Sequence, residues 1–341
     1  MNFCTLFDSY YLDKGLALYA SLDKVCENFT LYIFCFDDRS YEILKELALP
    51  HMVALHQSAF ETEQLLELKK ERSKAEYCWT CTPVVIEYIL AHYQVESCTY
   101  LDSDLYFYAS PEILFEEITA ADADVVIVPH RFKNNAYGRR LEERNGKYCV
   151  QFNYFRQTEN ARHILAWWKD RCLEWCFDIP EPDRMGDQKY LNDWPERFQG
   201  VLELQHLGGG VAPWNLEQYH FCGTEGGKVM MEDRQGRRFP LVFYHFQNLR
   251  YLPGRRVNIK SQTKNRKLKY QIYIPYLKEI EGIRRELEQR YGLSFEPKKL
   301  QRSSNALVGF LQRHFAAFKI QSFSDIIDLK RLDSYWDKEV K

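Results

Sequence analysis

The first half of the chain alternates short apolar runs with stretches of helical periodicity, and that alternation restricts the fold more than any other feature. Phe3 to Phe7 reads as a strand that ends at Asp8, and Gly15 to Leu22 as a helix. Thr30 to Phe36 is a β-branched and aromatic run of the kind that forms a buried strand. Val53 to Leu55 reads as another short strand, Glu61 to Arg72 as a charged helix, and Pro83 to His92 as a helix with proline at its start. Thr99 to Leu101 and Asp124 to Val128 are two more buried strands. Strands and helices in this order imply an α/β fold, with a mainly parallel central sheet flanked by helices. Ligands of such sheets bind beyond the carboxyl ends of the strands. Asp8 and the segment Asp102-Ser103-Asp104 fall at two such ends.

Beyond residue 130 the pattern loosens. Tyr148 to Phe155 reads as a strand and Ala161 to Phe177 as a long helix whose Trp167, Trp168 and Trp175 suit a core. Gly186 to Trp194 reads as a short helix, Gly208-Gly209-Gly210 as a loop, and Leu241 to Tyr244 as a strand ending at His245. Near Arg255 the chain changes character, with seven basic and no acidic residues up to Lys269. Helical patterns follow at Tyr273 to Arg290, Asn305 to Ala317 and Phe323 to Leu332. The expected organisation is a catalytic domain over 1–254 and a basic, mainly helical C-terminal extension over 255–341.

Formal net charge is -2, so no global field favours nucleic acid, and no nucleic-acid partner is expected. No apolar run is long enough to span a membrane, and Met1-Asn2-Phe3-Cys4 lacks a signal pattern, so a cytoplasmic address is expected. The basic stretch and the apolar face of Leu307, Phe310 and Leu311 leave peripheral contact with anionic lipid open, against a solvated charged face as the plainer reading. The ten cysteines read as reduced thiols. A zinc site uniting Cys78 and Cys81 with Cys172 and Cys176 would require both pairs to meet in space, and is not expected.

The strongest chemical signal is Tyr100-Leu101-Asp102-Ser103-Asp104. An Asp-x-Asp in an extended turn can aim two hard carboxylates at one Mg²⁺ or Mn²⁺, and the ion can then bridge a diphosphate. The plainer alternative is a loop whose aspartates cap nearby N–H groups. Phe243-Tyr244-His245-Phe246 puts a histidine at the end of another apolar strand, where it can complete a site with Asp102 and Asp104.

With these pieces in place the chain resembles the bacterial GT-A-type (Rossmann-like) nucleotide-diphospho-sugar glycosyltransferases, related to the retaining family of glycogenin and the lipopolysaccharide galactosyltransferases. The resemblance covers residues 1 to 250. It rests on the order of Cys4-Thr5-Leu6-Phe7-Asp8, Trp79-Thr80-Cys81-Thr82-Pro83, the Asp102–Asp104 motif, Gly186-Asp187-Gln188-Lys189-Tyr190-Leu191, Gly210-Val211-Ala212-Pro213-Trp214-Asn215 and Tyr244-His245-Phe246. It implies Asp102, Asp104 and His245 as metal ligands, Asp8 and Tyr10 at the base or ribose, and Asp187 and Gln188 at the transferred sugar. It also implies a UDP-sugar donor, with GDP-sugars open, a cell-surface glycan or glycolipid acceptor, and transfer with retention. Two departures stand out. Cys149 and Gln151 occupy a strand where such enzymes often carry Asn-x-Gly, and Gln247-Asn248-Leu249-Arg250 replaces the usual Gly and diphosphate-holding Lys, leaving Arg250 for that role.

Two rivals remain at this level. A sugar-1-phosphate nucleotidyltransferase would need a Gly-rich basic loop that Asp8 to Gly15 does not supply. A non-catalytic nucleotide-sugar-binding member of the fold would fit the altered Cys149 and Gln151.

Overall fold

The computed structural model describes residues 1–261, 263, 265–295 and 325–339, and the chain divides into two units, Met1–His245 and Phe246–Lys341. That division falls earlier than the change of character at Arg255.

The first unit opens with β1 (Asn2–Phe7), α1 (Leu12–Val25), β2 (Thr30–Cys35), α2 (Asp38–Leu47) and β3 (Met52–His56). It continues through α3 (Glu63–Glu71), α4 (Lys74–His92), β4 (Ser97–Leu101), β5 (Leu105–Phe107), α5 (Glu112–Ala120) and β6 (Val125–Pro129). Then come α6 (Ala136–Asn145), β7 (Tyr148–Arg156), α7 (Glu159–Glu174), α8 (Trp194–Arg197) and β8 (Val201–Glu203). It closes with β9 (His220–Glu225), β10 (Lys228–Glu232), β11 (Arg238–Pro240) and β12 (Phe243–His245).

The seven-stranded sheet runs β3-β2-β1-β4-β7-β6-β8. Every neighbouring pair is parallel except the two made by β7, which is antiparallel to β4 and β6. This is the mainly parallel, helix-flanked architecture that the alternating pattern implies. The runs Leu31–Cys35 and Val125–Val128 are buried throughout, as strands covered on both faces must be. One core gathers Cys4, Leu6, Phe34 and Tyr100 from the strands, Val85, Ile86 and Ile89 from α4, and Ile164 and Trp168 from α7. Trp168 stacks parallel to Phe155 and meets Trp194 edge-on, so it is a core residue as its sequence context indicated.

Several boundaries differ from the sequence reading. The helix read as Pro83 to His92 begins at Lys74, and Pro83 lies inside it. Ser73 caps its first turn and Glu76 reaches back to the Ser73 backbone, a reciprocal pair that nucleates the helix well before the proline. Gly186 to Trp194 holds a 3-10 turn, Lys189–Asp193, in place of a regular helix. The helix α6 is an addition, capped by the Asn135 side chain on the Gly138 N–H. So is the antiparallel sheet β11-β10-β9, turned at Gly226-Gly227 where both residues have positive φ.

The second unit contains β13 (Arg250–Leu252), β14 (Arg256–Asn258), α9 (Arg266–Tyr291), β15 (Ile326–Asp328) and α10 (Leu332–Glu339). Its three strands pair antiparallel in the order β13-β14-β15. The expected helix at Phe323 to Leu332 is corrected, because Ile326–Asp328 pairs with β14 and the helix starts at Leu332. The expected helix at Asn305 to Ala317 lies outside the described residues. Part of the basic run is committed to this unit's own fold. Lys269 is buried and donates to Asp325 at 2.6 Å, and Arg255 meets Glu281 at 2.9 Å. Among the described residues no helix is long and apolar enough to cross a membrane.

The capping pair at Ser73 gives a direct test. Ser73→Ala is expected to destabilise the protein by about 1 kcal/mol in denaturant unfolding. An unchanged midpoint would show that α4 is held by packing alone.

Candidate functional site

The carboxyl ends of the adjacent strands β2, β1 and β4 deliver Asp37, Asp8 and Asp102 to one edge of the sheet. Asp37 is used for structure. It accepts from Ser9 N at 3.0 Å and Ser9 Oγ at 2.6 Å, and it caps α2 through Ser40 N at 2.8 Å. Burial opposes its charge, but these donors prevail and hold its pKa below the ordinary value. Asp8 takes the Tyr10 N–H at 3.1 Å and Lys74 Nζ at 2.9 Å. Tyr10 stands 64% exposed beside Tyr11, so it does not serve as a packing residue at the start of α1.

Asp102, Asp104 and His245 converge. One ligand atom from each lies within 4.8 Å of the others, and among the described residues this is the group that could hold a metal ion. The ladder explains the convergence. The strand β5 starts immediately after Asp104, and its antiparallel partner β12 puts His245 directly opposite Leu105. His245 Nε2 lies 3.0 Å from Asp104 and 3.6 Å from Asp102, while its Nδ1 lies 2.9 Å from Gln151 Oε1. Its backbone N–H donates to Val211 at 3.0 Å, and Trp214 meets its ring edge-on at 5.4 Å.

The electrostatics are those of carboxylates pressed together. Burial pushes Asp102 up to about 7, with the Asp104 charge adding to the rise and His245 opposing it. Burial also works against the Asp104 charge, but the adjacent imidazole outweighs it and holds Asp104 below the ordinary carboxylate value. For His245, burial disfavours the cation, yet Asp104 and then Asp102 raise its pKa. Two hard oxygens and one borderline nitrogen, backed by a hydrogen bond on the outer ring nitrogen, are a fitting donor set for a divalent cation.

Asp187 belongs to the same neighbourhood. Its charge acts on Asp102's, and burial followed by that repulsion raises its pKa well above the ordinary value. Its Oδ2 is buried without a hydrogen-bond partner. It does not cap the following turn, where Gln188 occupies the cap position without a side-chain cap bond. Gly186, at φ +55, lies against the Trp79 ring, and Trp168 Nε1 donates to the Asp187 carbonyl at 2.9 Å. Gln188 takes another direction, donating through Nε2 to the Asn145 carbonyl at 2.7 Å. Arg250 sits in the second unit, at the exposed start of β13.

The structure adds residues that sequence reading passed over. Tyr100 donates its hydroxyl to Asp102 at 3.1 Å. Lys14, with its Nζ 4.3 Å from the centre of the Tyr11 ring, contributes a positive charge that helps hold Asp104 ionised. Burial, and then the charge of Asp104, raises the Tyr11 phenol above its ordinary value. Burial pushes Cys78 up to about 12, with the carboxylates of Asp8, Asp102 and Asp187 acting on it. Trp214, by contrast, is a buried anchor whose Nε1 donates to the His130 carbonyl at 2.8 Å. The ten cysteines are all free thiols.

A mainly parallel α/β sheet with its Asp-x-Asp and histidine gathered at the end of a strand has the GT-A-type, glycosyltransferase-like fold that the ordered motifs indicated. More closely, the chain belongs to the family of the uncharacterized protein YfnF of Bacillus subtilis strain 168. The two are 32% identical over 254 residues, covering 73% of this chain and 81% of that protein. YfnD of the same organism is 28% identical over 281 residues, covering 81% of this chain and 87% of YfnD. No family model matches the chain. Partial likeness extends to mouse xyloside xylosyltransferase 1, at 12% identity and a TM-score of 0.45 over 73% of this chain and 98% of that one. The galactosyltransferase LgtC shows 13% identity and a TM-score of 0.46 over 73% of this chain and 87% of its own. At such scores these two likenesses decide nothing about the chemistry of this chain.

Removing one ligand tests the cluster. Asp104→Ala is expected to abolish Mn²⁺ binding, followed by the electron paramagnetic resonance signal of the free ion, while the far-ultraviolet circular dichroism stays native. Retained Mn²⁺ affinity would sink the assignment.

Proposed function

We propose that this protein is a metal-dependent glycosyltransferase that moves a sugar from a nucleotide diphosphate donor to a glycan or glycolipid acceptor. The observation that carries the reading is the convergence of Asp102, Asp104 and His245 at the sheet's carboxyl edge. Asp102, Asp104 and His245 would hold Mn²⁺ or Mg²⁺. The bound ion neutralises charge that develops on the departing diphosphate. Asp8 and the exposed ring of Tyr10 stand at the end of β1, where a base and ribose would lie. A UDP-sugar is the favoured donor on the motif resemblance.

Asp187 is assigned to the transferred sugar. Its Oδ2, buried without a hydrogen-bond partner, is free to meet a sugar hydroxyl, and this supports that role. Gln188 is proposed at the transferred sugar on the motif resemblance alone, since its amide nitrogen donates to the Asn145 carbonyl. Arg250 remains proposed as a grip on the diphosphate, and Lys14 is a second cation for the same task. Transfer with retention follows from the resemblance.

The test is a thermal-shift screen of the full chain with UDP, GDP, CMP and dTDP, each with and without Mn²⁺. Ligands that bind only the native state raise apparent stability. A Mn²⁺-dependent rise with UDP, lost in Asp104→Ala, is expected, together with UDP release from a UDP-sugar. Pyrophosphate release from UTP and a sugar phosphate would favour nucleotidyl transfer instead. Binding of UDP with neither transfer nor hydrolysis of any donor would favour the non-catalytic reading.

A further inference from the structure

The residue that looks most out of place by family pattern, Gln151, occupies a distinctive position. It is fully buried in β7, the one antiparallel strand of the main sheet. Its backbone carbonyl accepts the Asp102 N–H at 3.1 Å. Its side-chain Oε1 lies 2.9 Å from His245 Nδ1. A single residue therefore touches both elements that carry the ligands, one through the main chain and one through the amide.

We infer that Gln151 is the positioning residue of the metal centre: it fixes the hydrogen on His245 Nδ1 and thereby aims the Nε2 lone pair at the ion. The inference rests on reading Asp102, Asp104 and His245 as that centre. The argument is one of exclusion within a confined space. An amide oxygen only accepts, so the imidazole nitrogen facing it must carry hydrogen. Nε2 is the nitrogen that faces Asp104 and Asp102, and with a cation bound there it would present its lone pair to the ion while Nδ1 keeps its hydrogen. The rest of the ring has little freedom, because the His245 backbone is tied to Val211 and Trp214 stands edge-on against it. The amide is packed in turn. A Cβ on Gly210, at φ +104, would come within 2.7 Å of Val128 Cγ1, 3.2 Å of Arg131 Nη1 and 3.3 Å of Gln151 Nε2. Gly210 therefore lies close against both Val128 and the Gln151 amide.

Two variants and one spectroscopic reading separate this role from simple packing. Gln151→Leu keeps the volume and removes the acceptor, whereas Gln151→Glu keeps an acceptor. In protein labelled with ¹⁵N-histidine and loaded with diamagnetic Zn²⁺, His245 is expected in the Nδ1–H form. Its resonances are identified by their loss in His245→Asn. The Gln151→Leu variant is expected to lose that tautomeric preference and to bind Mn²⁺ about 10- to 100-fold more weakly. Gln151→Glu is expected to restore affinity to the wild-type level or above. An Nε2–H tautomer in the Zn²⁺-loaded wild type overturns the inference, as does a folded Gln151→Leu with unchanged Mn²⁺ affinity. The wild-type spectrum needs no variant, so a Gln151→Leu that fails to fold leaves the inference decidable. Absence of Mn²⁺ binding in the wild type defeats the metal centre and this inference with it. Failure to find a nucleotide or sugar ligand, with Mn²⁺ still bound, defeats only the transferase reading.

Discussion

Holding two carboxylates within reach of each other in a recess is unfavourable unless positive charge stands between them. The first unit is arranged around that constraint. Asp102 and Asp104 leave β4 in one turn, and the chain returns at once as β5, so the ladder to β12 fixes His245 beside them by register. In the protein by itself, the imidazole stands beside both carboxylates, and their charges, Asp104 first and Asp102 second, raise its pKa against the effect of burial. A divalent cation bound at the same point would supply that positive charge, and it would take the Nε2 position now facing the carboxylates. The side chains that support the cluster are neutral hydrogen-bonding groups: the Tyr100 hydroxyl on Asp102 and the Gln151 amide on His245.

The three aspartates around this point have the same chemistry and different fates, set by their surroundings. Asp104, next to the imidazole and under the charge of Lys14, stays ionised below the usual carboxylate range. Asp102, more affected by burial than relieved by His245, is pushed up to about 7. Asp187 is raised well above the ordinary value by burial and then by the Asp102 charge. Environments that split like groups in this way are how acid and base assignments arise at one pH. The Asp187 backbone is pinned by Trp168 Nε1, a core tryptophan, which ties this segment to the packing of α7.

What the sequence disclosed follows the range of the interactions. The strands and the Asp-x-Asp turn were legible because a buried strand and the turn after it are written in adjacent residues. His245 was legible as a strand-terminal histidine, though only in combination with the aspartates. The start of α4 was also written locally, in Ser73-Lys74-Ala75-Glu76, but Pro83 drew the boundary inward. The Gly226-Gly227 turn of the β9–β10 hairpin was a similar unused signal. The contacts of Gln151 were out of reach for a different reason. Its role depends on the antiparallel pairing that places β7 beside β4 and on the approach of β12 from far along the chain. No window of neighbouring residues contains that information. Tyr11, Lys14 and Cys78 share the difficulty, since their contacts with the site come through α1 and α4 and not through a strand end.

A glutamine fully buried in a strand needs the loop beside it held at a fixed distance, because interiors have little spare volume. Here that loop is tied down. Arg131 donates through Nη1 to the Gly209 carbonyl at 2.6 Å and through Nη2 to the Leu204 carbonyl at 2.7 Å, so the backbone approaching β7 is anchored by a side chain from just beyond β6. Asn215 closes the same loop, with Oδ1 accepting from Ala212 and Nδ2 donating to the carbonyls of Gly210 and His130. Between those anchors Gly210 adopts a positive φ that a side chain would strain. A Cβ there would meet Val128 Cγ1 at 2.7 Å and come within 3.3 Å of the Gln151 amide nitrogen, so the loop approaches β6 and β7 closely at this point. Loss of the amide would leave the His245 nitrogen that faces it buried without a hydrogen-bond partner.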